Sequence, residues 1–216
     1  MTNRSSSESK KNETRQLISD HATRLFIERG FEETTIADIA AASRVAKKTV
    51  TNYFARKEEL ALDHQLDHQE EFVAGLARTV AGRVAGESAL GALRREFLAG
   101  VERQDPVIGF AGERFCRMIA ESPTLTARLR DLHDQREVAF ARLLAEEAGV
   151  ANDDFGVYAV AAQLGAAQRA LFQRIMRLTL SGLPNADIVA TVADDAHRVF
   201  GLLEASFGDY AVRAGG

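Results

Sequence analysis

The stretch TTIADIAAASRVAKKTVTNYFARKEEL, Thr34 to Leu60, decides the fold. Thr34 or Thr35 can N-cap a short helix whose inward face is Ile36, Ile39 and Ala40. Val45 then fits an apolar place in a turn, and Val50 and Phe54, four apart, turn the next helix inward. Between Ser43 and Lys57 stand five basic residues, Arg44, Lys47, Lys48, Arg56 and Lys57, and no acid. Two short helices in tight succession, the second basic on its free side, make a helix-turn-helix pattern.

With Val50 and Phe54 facing in, Lys47, Lys48, Thr51 and Asn52 are left facing out. The lysines suit guanine edges or phosphate, Thr51 a thymine methyl and Asn52 an adenine. Thr49 and Tyr53 carry hydroxyls placed for the DNA backbone, and Lys57 opens the next helix, where its ammonium and the first amides can hold another phosphate. Thr34, Thr35 and Arg44 complete the expected DNA-binding set. A merely solvated basic helix has no need of Thr49, Thr51, Asn52 and Tyr53 interleaved among its lysines.

Outward from this stretch the periodicity stays helical. Leu17, Ile18, Ala22, Leu25 and Phe26 recur at helical spacing and end at Gly30, a left-handed cap. Further helices are expected at roughly 57–83, 87–103, 107–120, 123–147, 153–180 and 185–210. The three prolines, Pro106, Pro123 and Pro184, fall between them as boundaries. The expected fold is all-α, about nine helices: a disordered leader at 1–12, a helix-turn-helix domain at 13–57, and a larger helical regulatory and dimerisation domain at 58–216.

Charge supports the division. Residues 1–57 carry 11 Lys+Arg against 7 Asp+Glu, whereas the remainder carries 16 against 24, and all five lysines lie in the first part. A basic head on an acidic body predicts polyanion contact at one end only. No apolar run approaches the roughly 20 residues that span a bilayer, and the polar start MTNRSSSESKKNE lacks a secretory core, so a cytoplasmic location is expected. One cysteine, Cys116, excludes an internal disulfide and a Cys-x-x-Cys zinc site.

The segment from about Thr14 to Leu62 resembles the N-terminal domain of the TetR/AcrR family of bacterial transcriptional repressors. Phe26, Gly30-Phe31, Thr34-Thr35-Ile36, Ile39-Ala40, Val45, Thr49, Tyr53-Phe54 and Lys57-Glu58-Glu59-Leu60 carry the resemblance. Two departures stand out: Arg44 and Lys48 occupy places where the family usually has glycine. Arg44 is therefore expected to accept a left-handed backbone at a cost of about 1 kcal/mol, and Lys48 to change which operator is read. The resemblance implies a homodimer on a palindromic operator, released by a small molecule bound in the helical domain. The alternative is an activator, or a regulator controlled by a partner protein, without such a pocket.

In the helical domain, large or polar residues on inward faces are the candidate ligand contacts: Phe97, Phe110, Phe115, Cys116, Met118, Ile119, Phe140, Gln163, Gln168 and Phe172, with Arg114 at the rim. Twelve phenylalanines and no tryptophan favour a partly apolar effector over a sugar. Cys116, between Phe115 and Met118, sits where thiols are inert. The last two helices, joined at Gly182-Leu183-Pro184, form an αα-hairpin. Leu164, Leu171, Ile175, Val192, Val199, Phe200, Leu203 and Phe207 are the expected dimer contacts from it.

His64, His68 and Glu71 share one helical face, but one helix alone supplies too few ligands for a metal. No Gly-x-x-x-x-Gly-Lys loop, Gly-x-Gly-x-x-Gly turn or Gly-x-Ser-x-Gly elbow occurs. No catalytic residue, metal or cofactor is expected, and the chain is read as a non-enzyme.

Overall fold

The computed structural model describes residues 2–62 and 74–207, with side chains at 9–62 and 74–206. Within them the helices are α1 (Thr2–Arg29), α2 (Ile36–Ala42), α3 (Lys47–Tyr53), α4 (Lys57–Ala61), α5 (74–81), α6 (Ala89–Glu102), α7 (Glu113–Glu121), α8 (Pro123–Ala148), α9 (Phe155–Leu180) and α10 (Asn185–Phe207). A 3-10 turn, Pro106–Ile108, precedes α7. No strand occurs among the described residues, as the all-α expectation requires.

Two compact units emerge, Met1–Asp67 with Arg117–Leu129, and His68–Cys116 with Arg130–Gly216. The first unit packs α1 against α2 and α4, and α2 against α3. Ile18, Ala22, Leu25 and Phe26 on α1, Ile39 and Ala40 on α2, Val50 and Phe54 around α3, and Leu60 on α4 are all buried. Leu17, counted in the α1 stripe from sequence, is 46% exposed. Gly30 ends α1 at φ +89°, its amide donating to the Phe26 carbonyl at 3.0 Å. That left-handed stop is the reason a glycine stands there.

In the second unit α10 packs on α6 and α9, and the 3-10 turn packs on α6 and α9. The core joins Phe97 and Val101 of α6, Phe140 and Leu144 of α8, Leu164 and Leu171 of α9, and Val192 and Phe200 of α10. Buried Arg83 donates to the Val80 carbonyl and to Glu147 Oε2 at 2.7 Å, fastening the end of α5 to α8.

Three expectations change. The leader expected to be disordered is helical from Thr2, continuous with α1. Local bonds support that continuation: Ser9 Oγ donates to Glu13 Oε1 at 3.0 Å and Thr14 Oγ1 to the Lys10 carbonyl at 2.9 Å. The single helix expected at 107–120 is divided, because Gly109 (φ +126°) and Gly112 (φ +80°) take conformations that no helix contains. The helix expected at 57–83 is described only as α4 and α5; its middle, with His64, His68 and Glu71, lies outside the described residues. Among the described residues no group of three His, Cys, Asp or Glu side chains is placed to hold a metal. None of their helices is long and apolar enough to cross a membrane.

Candidate nucleic-acid interface

The helix-turn-helix is built by two caps and one strained turn. Thr35 N-caps α2 in a reciprocal box: the Asp38 amide donates to Thr35 Oγ1 at 3.2 Å and the Thr35 amide to Asp38 Oδ2 at 2.9 Å. The Thr35 bonds, side chain first and then backbone, hold the Asp38 carboxyl below its usual range. Arg44 follows the C-cap Ser43 at φ +57°, the left-handed conformation expected of it. Its amide donates to the Ala41 carbonyl at 3.2 Å and that of Val45 to Ala40 at 3.0 Å, so the chain reverses within two residues.

Helix α3 starts at Ala46, which offers no side-chain cap. Val50 and Phe54 are buried, and the opposite side is free: Lys47, Lys48, Thr51 and Asn52 are all exposed, with Thr49 and Tyr53 half-buried beside them. Two ammoniums, an amide and hydroxyls therefore share one face seven residues long. That is the donor set a major groove accepts.

Two of the expected DNA contacts have other duties. Thr34 is buried, and its Oγ1 donates to the Gly30 carbonyl at 2.8 Å, so it closes the α1–α2 loop and faces no solvent. Lys57 is half-buried; its Nζ donates to the carbonyls of Phe31 (2.9 Å), Thr34 (3.2 Å) and Glu32 (3.3 Å) and lies 4.2 Å from the Phe31 ring centroid. An ammonium has three protons, and here all are spent on the loop, leaving none for phosphate. Thr35 and Arg44 are exposed and remain available.

The candidate ligand contacts divide. Phe97, Phe110 and Phe140 lie in the core of the second unit, and Phe172 and Cys116 are buried in that unit too. Phe115 and Gln168 are half-buried. Met118 and Ile119 are buried in the first unit instead, because the end of α7 clusters with residues 1–67. Arg114 and Gln163 are exposed, Gln163 Nε2 turning back to the Ala159 carbonyl at 3.3 Å. Burial raises the Cys116 thiol to about 11.

Sequence reasoning missed a polar group on the apolar face of α8. His133 packs edge-on to Phe172 at 5.1 Å between centroids, and Arg136, one turn on, is buried. Burial first, then the charges of Arg136 and Arg169, lower His133 to about 4. Burial also lowers Arg136 to about 10 against the pull of Asp105. Arg169 Nη1 meets Glu137 Oε2 at 2.7 Å. The signal was legible: Arg136 stands at a core place in the series Leu125, Leu129, Leu132, Phe140.

Most of the residues expected at a dimer interface are buried within the single chain. Leu164, Leu171, Ile175, Val192 and Phe200 are at most 2% exposed in the single chain, and Val199 and Leu203 are half-buried. Leu164, Leu171, Ile175, Val192, Phe200 and Leu203 join the chain's own core together with residues of α6 and α8, because the apolar stripes of α9 and α10 are taken up there. The side chain of Phe207 lies outside the described residues. The outward side of α9 is instead Phe155 (84% exposed), Ala159, Ala162, Ala166 and Ala170, and that of α10 is Ala190, His197, Gly201 and Ala205.

Residues 18–63 match the family described as bacterial regulatory proteins, tetR family. Over 146 residues the chain is 34% identical to the HTH-type transcriptional regulator TcmR of Streptomyces glaucescens. That alignment covers 65% of this chain and spans 63% of the relative, a little under two thirds of its length. Solved structures share the fold: a SmeT–triclosan complex (TM-score 0.57, 18% identity, 89% of this chain and 90% of that one) and Thermus thermophilus FadR with lauroyl-CoA (TM-score 0.53, 22% identity, 88% and 92%). The residues matched to the tetR-family description, 18–63, coincide with the helix-turn-helix built above, and the chain resembles that family over this segment.

Proposed function

We propose that the protein is a sequence-specific DNA-binding transcriptional regulator, a ligand-released repressor that binds a palindromic operator as a homodimer. The observation that carries this reading is α3: buried Val50 and Phe54 brace it from behind while Lys47, Lys48, Thr51 and Asn52 stand exposed on the other side. Lys47 and Lys48 supply phosphate or guanine contacts, Thr51 and Asn52 the base-edge contacts, and Thr49 and Tyr53 backbone contacts. Thr35 and Arg44 border the same surface, whereas Thr34 and Lys57 shape it from inside.

The two-fold pairing is assigned to the outward, small-residue sides of α9 and α10, where Ala159, Ala162, Ala166, Ala170 and Gly201 allow helices to approach closely. The effector is assigned to the second unit, among Phe97, Phe110, Phe140 and Phe172, with neutral His133 and buried Arg136 offering polar contacts. Such a lining suits a partly apolar molecule with a polar or anionic end. The regulator is assigned no catalytic role and a cytoplasmic place beside its operator.

Selection of bound sequences from a random duplex pool tests this. A two-fold symmetric consensus supports a dimer reading paired half-sites, and addition of metabolites to that complex then searches for the releasing ligand. Folded protein that enriches no sequence at low salt would overturn the proposal.

A further inference from the structure

The α1–α2 loop, residues 30–35, is fastened from three sides. Thr34 Oγ1 ties it to the end of α1, and Lys57 Nζ ties it to α4. The third fastening comes from 90 residues along the chain: Ser122 Oγ donates to Glu32 Oε1 at 2.6 Å. Ser122 is 2% exposed and sits just before Pro123, where the same Oγ accepts from the Leu125 amide at 3.1 Å and so caps α8. A hydroxyl has one proton and two lone pairs. It can therefore serve Glu32 and the helix together, and each bond strengthens the other, since donation to a carboxylate makes the oxygen a better acceptor.

We propose that Glu32 is a positioning residue: through Ser122 it joins the first turn of α8 to the loop that sets the reading head. Opening of that turn and displacement of the loop are then one event. The joint lies wholly within the first unit, but α8 runs from Pro123 in that unit to Ala148 in the second. A shift of α8 therefore reaches Glu32 through the chain itself. From the loop it passes to α4 through Lys57 and to α2 through the Thr35–Asp38 box. The inference rests on the DNA-binding reading above and adds the contact that would carry regulation to the operator-binding helices.

Amide exchange of the full chain, free and saturated with the selected operator duplex, tests it. Because coupling is reciprocal, bound operator should slow exchange of the 124–126 amides about five-fold or more in the parent. Glu32→Ala leaves the Ser122 cap in place; it should fold and still bind operator, but lose this slowing. Glu32→Gln keeps an acceptor oxygen for Ser122 and should retain it. A purely structural Glu32 would shift stability or affinity and leave the slowing intact. Slowing that persists in Glu32→Ala overturns the coupling, as does bound operator that leaves the parent's 124–126 amides unchanged. Loss of slowing in Glu32→Gln to the same extent assigns the effect to charge and overturns the hydroxyl joint. A folded parent that binds no duplex fails the functional reading itself, a distinct result that removes the coupling with it.

Discussion

Lys57 Nζ lies 2.9 Å from the carbonyl oxygen of Phe31 and 4.2 Å from the centroid of the same residue's ring. The ammonium thus serves as the missing cap of the α1–α2 loop, taking two further carbonyls at Thr34 and Glu32. The phenyl face attracts the same cation. Tyr53 and Phe54 precede it by only a few residues, and the Ala55 amide donates to Glu59 Oε2 at 2.9 Å, so the start of α4 is held to the end of α3 by a short covalent connection and a polar link.

Lys57→Met keeps the stem and removes the charge. It should cost about 2 kcal/mol of stability, the worth of a charge-assisted bond and its partners, seen as a lower urea midpoint. The salt dependence of operator binding should stay close to the parent's. Lys47→Ala and Lys48→Ala should each flatten the slope of log K against log salt by about 1 per head bound to DNA. A Lys57→Met slope flattened as much as theirs would return that lysine to the phosphate.

Arg44 stands at φ +57° with its side chain exposed. Arg44→Gly relieves the left-handed strain of about 1 kcal/mol but loosens the unfolded chain, for a net gain of at most about 0.5 kcal/mol. Thermal melting should rise while operator affinity falls through loss of a cation beside α3. A drop in melting temperature would show that the arginine side chain stabilises the turn.

His133 is half-buried; its partial burial first, then the charges of Arg136 and Arg169, lower it to about 4 from 6.5. Between those values the unfolded chain binds a proton that the folded chain refuses. Stability therefore falls as pH drops from about 6.5 toward 4, by up to about 3 kcal/mol. His133→Phe should flatten that limb of a stability profile; a limb unchanged by the substitution would assign it to other groups.

Cys116 is fully buried and its thiol is raised to about 11. Native protein at pH 8 should react with a disulfide reagent only at the rate of opening, and stoichiometrically once unfolded in urea. Rapid native labelling would show that the second unit opens readily around it.

Ala166→Glu together with Gly201→Glu, both on the outward sides, should dissociate the proposed dimer while leaving the chain folded. Phe200→Asp, by contrast, should unfold the protomer, because that ring is 1% exposed and packs 6.0 Å from the Phe97 ring. Sedimentation and circular dichroism separate the two. An Ala166/Gly201 double variant that remains dimeric would place the interface elsewhere.

The sequence by itself determined the all-α class, the helix-turn-helix at 34–60, its inward residues Ile39, Val50 and Phe54, the left-handed Arg44 and the exposed set Lys47, Lys48, Thr51 and Asn52. These follow from local periods, caps and steric limits, which act over a few residues. Only the tertiary structure decided that Lys57 and Thr34 serve the loop, and that Glu32 meets Ser122 across 90 residues. It also decided that the apolar stripes of α9 and α10 fill the protomer's own core, since a stripe records that a face is buried but not what buries it. A donor's partner and a stripe's neighbour depend on which distant segments are brought together, and residue spacing within a helix carries no record of that.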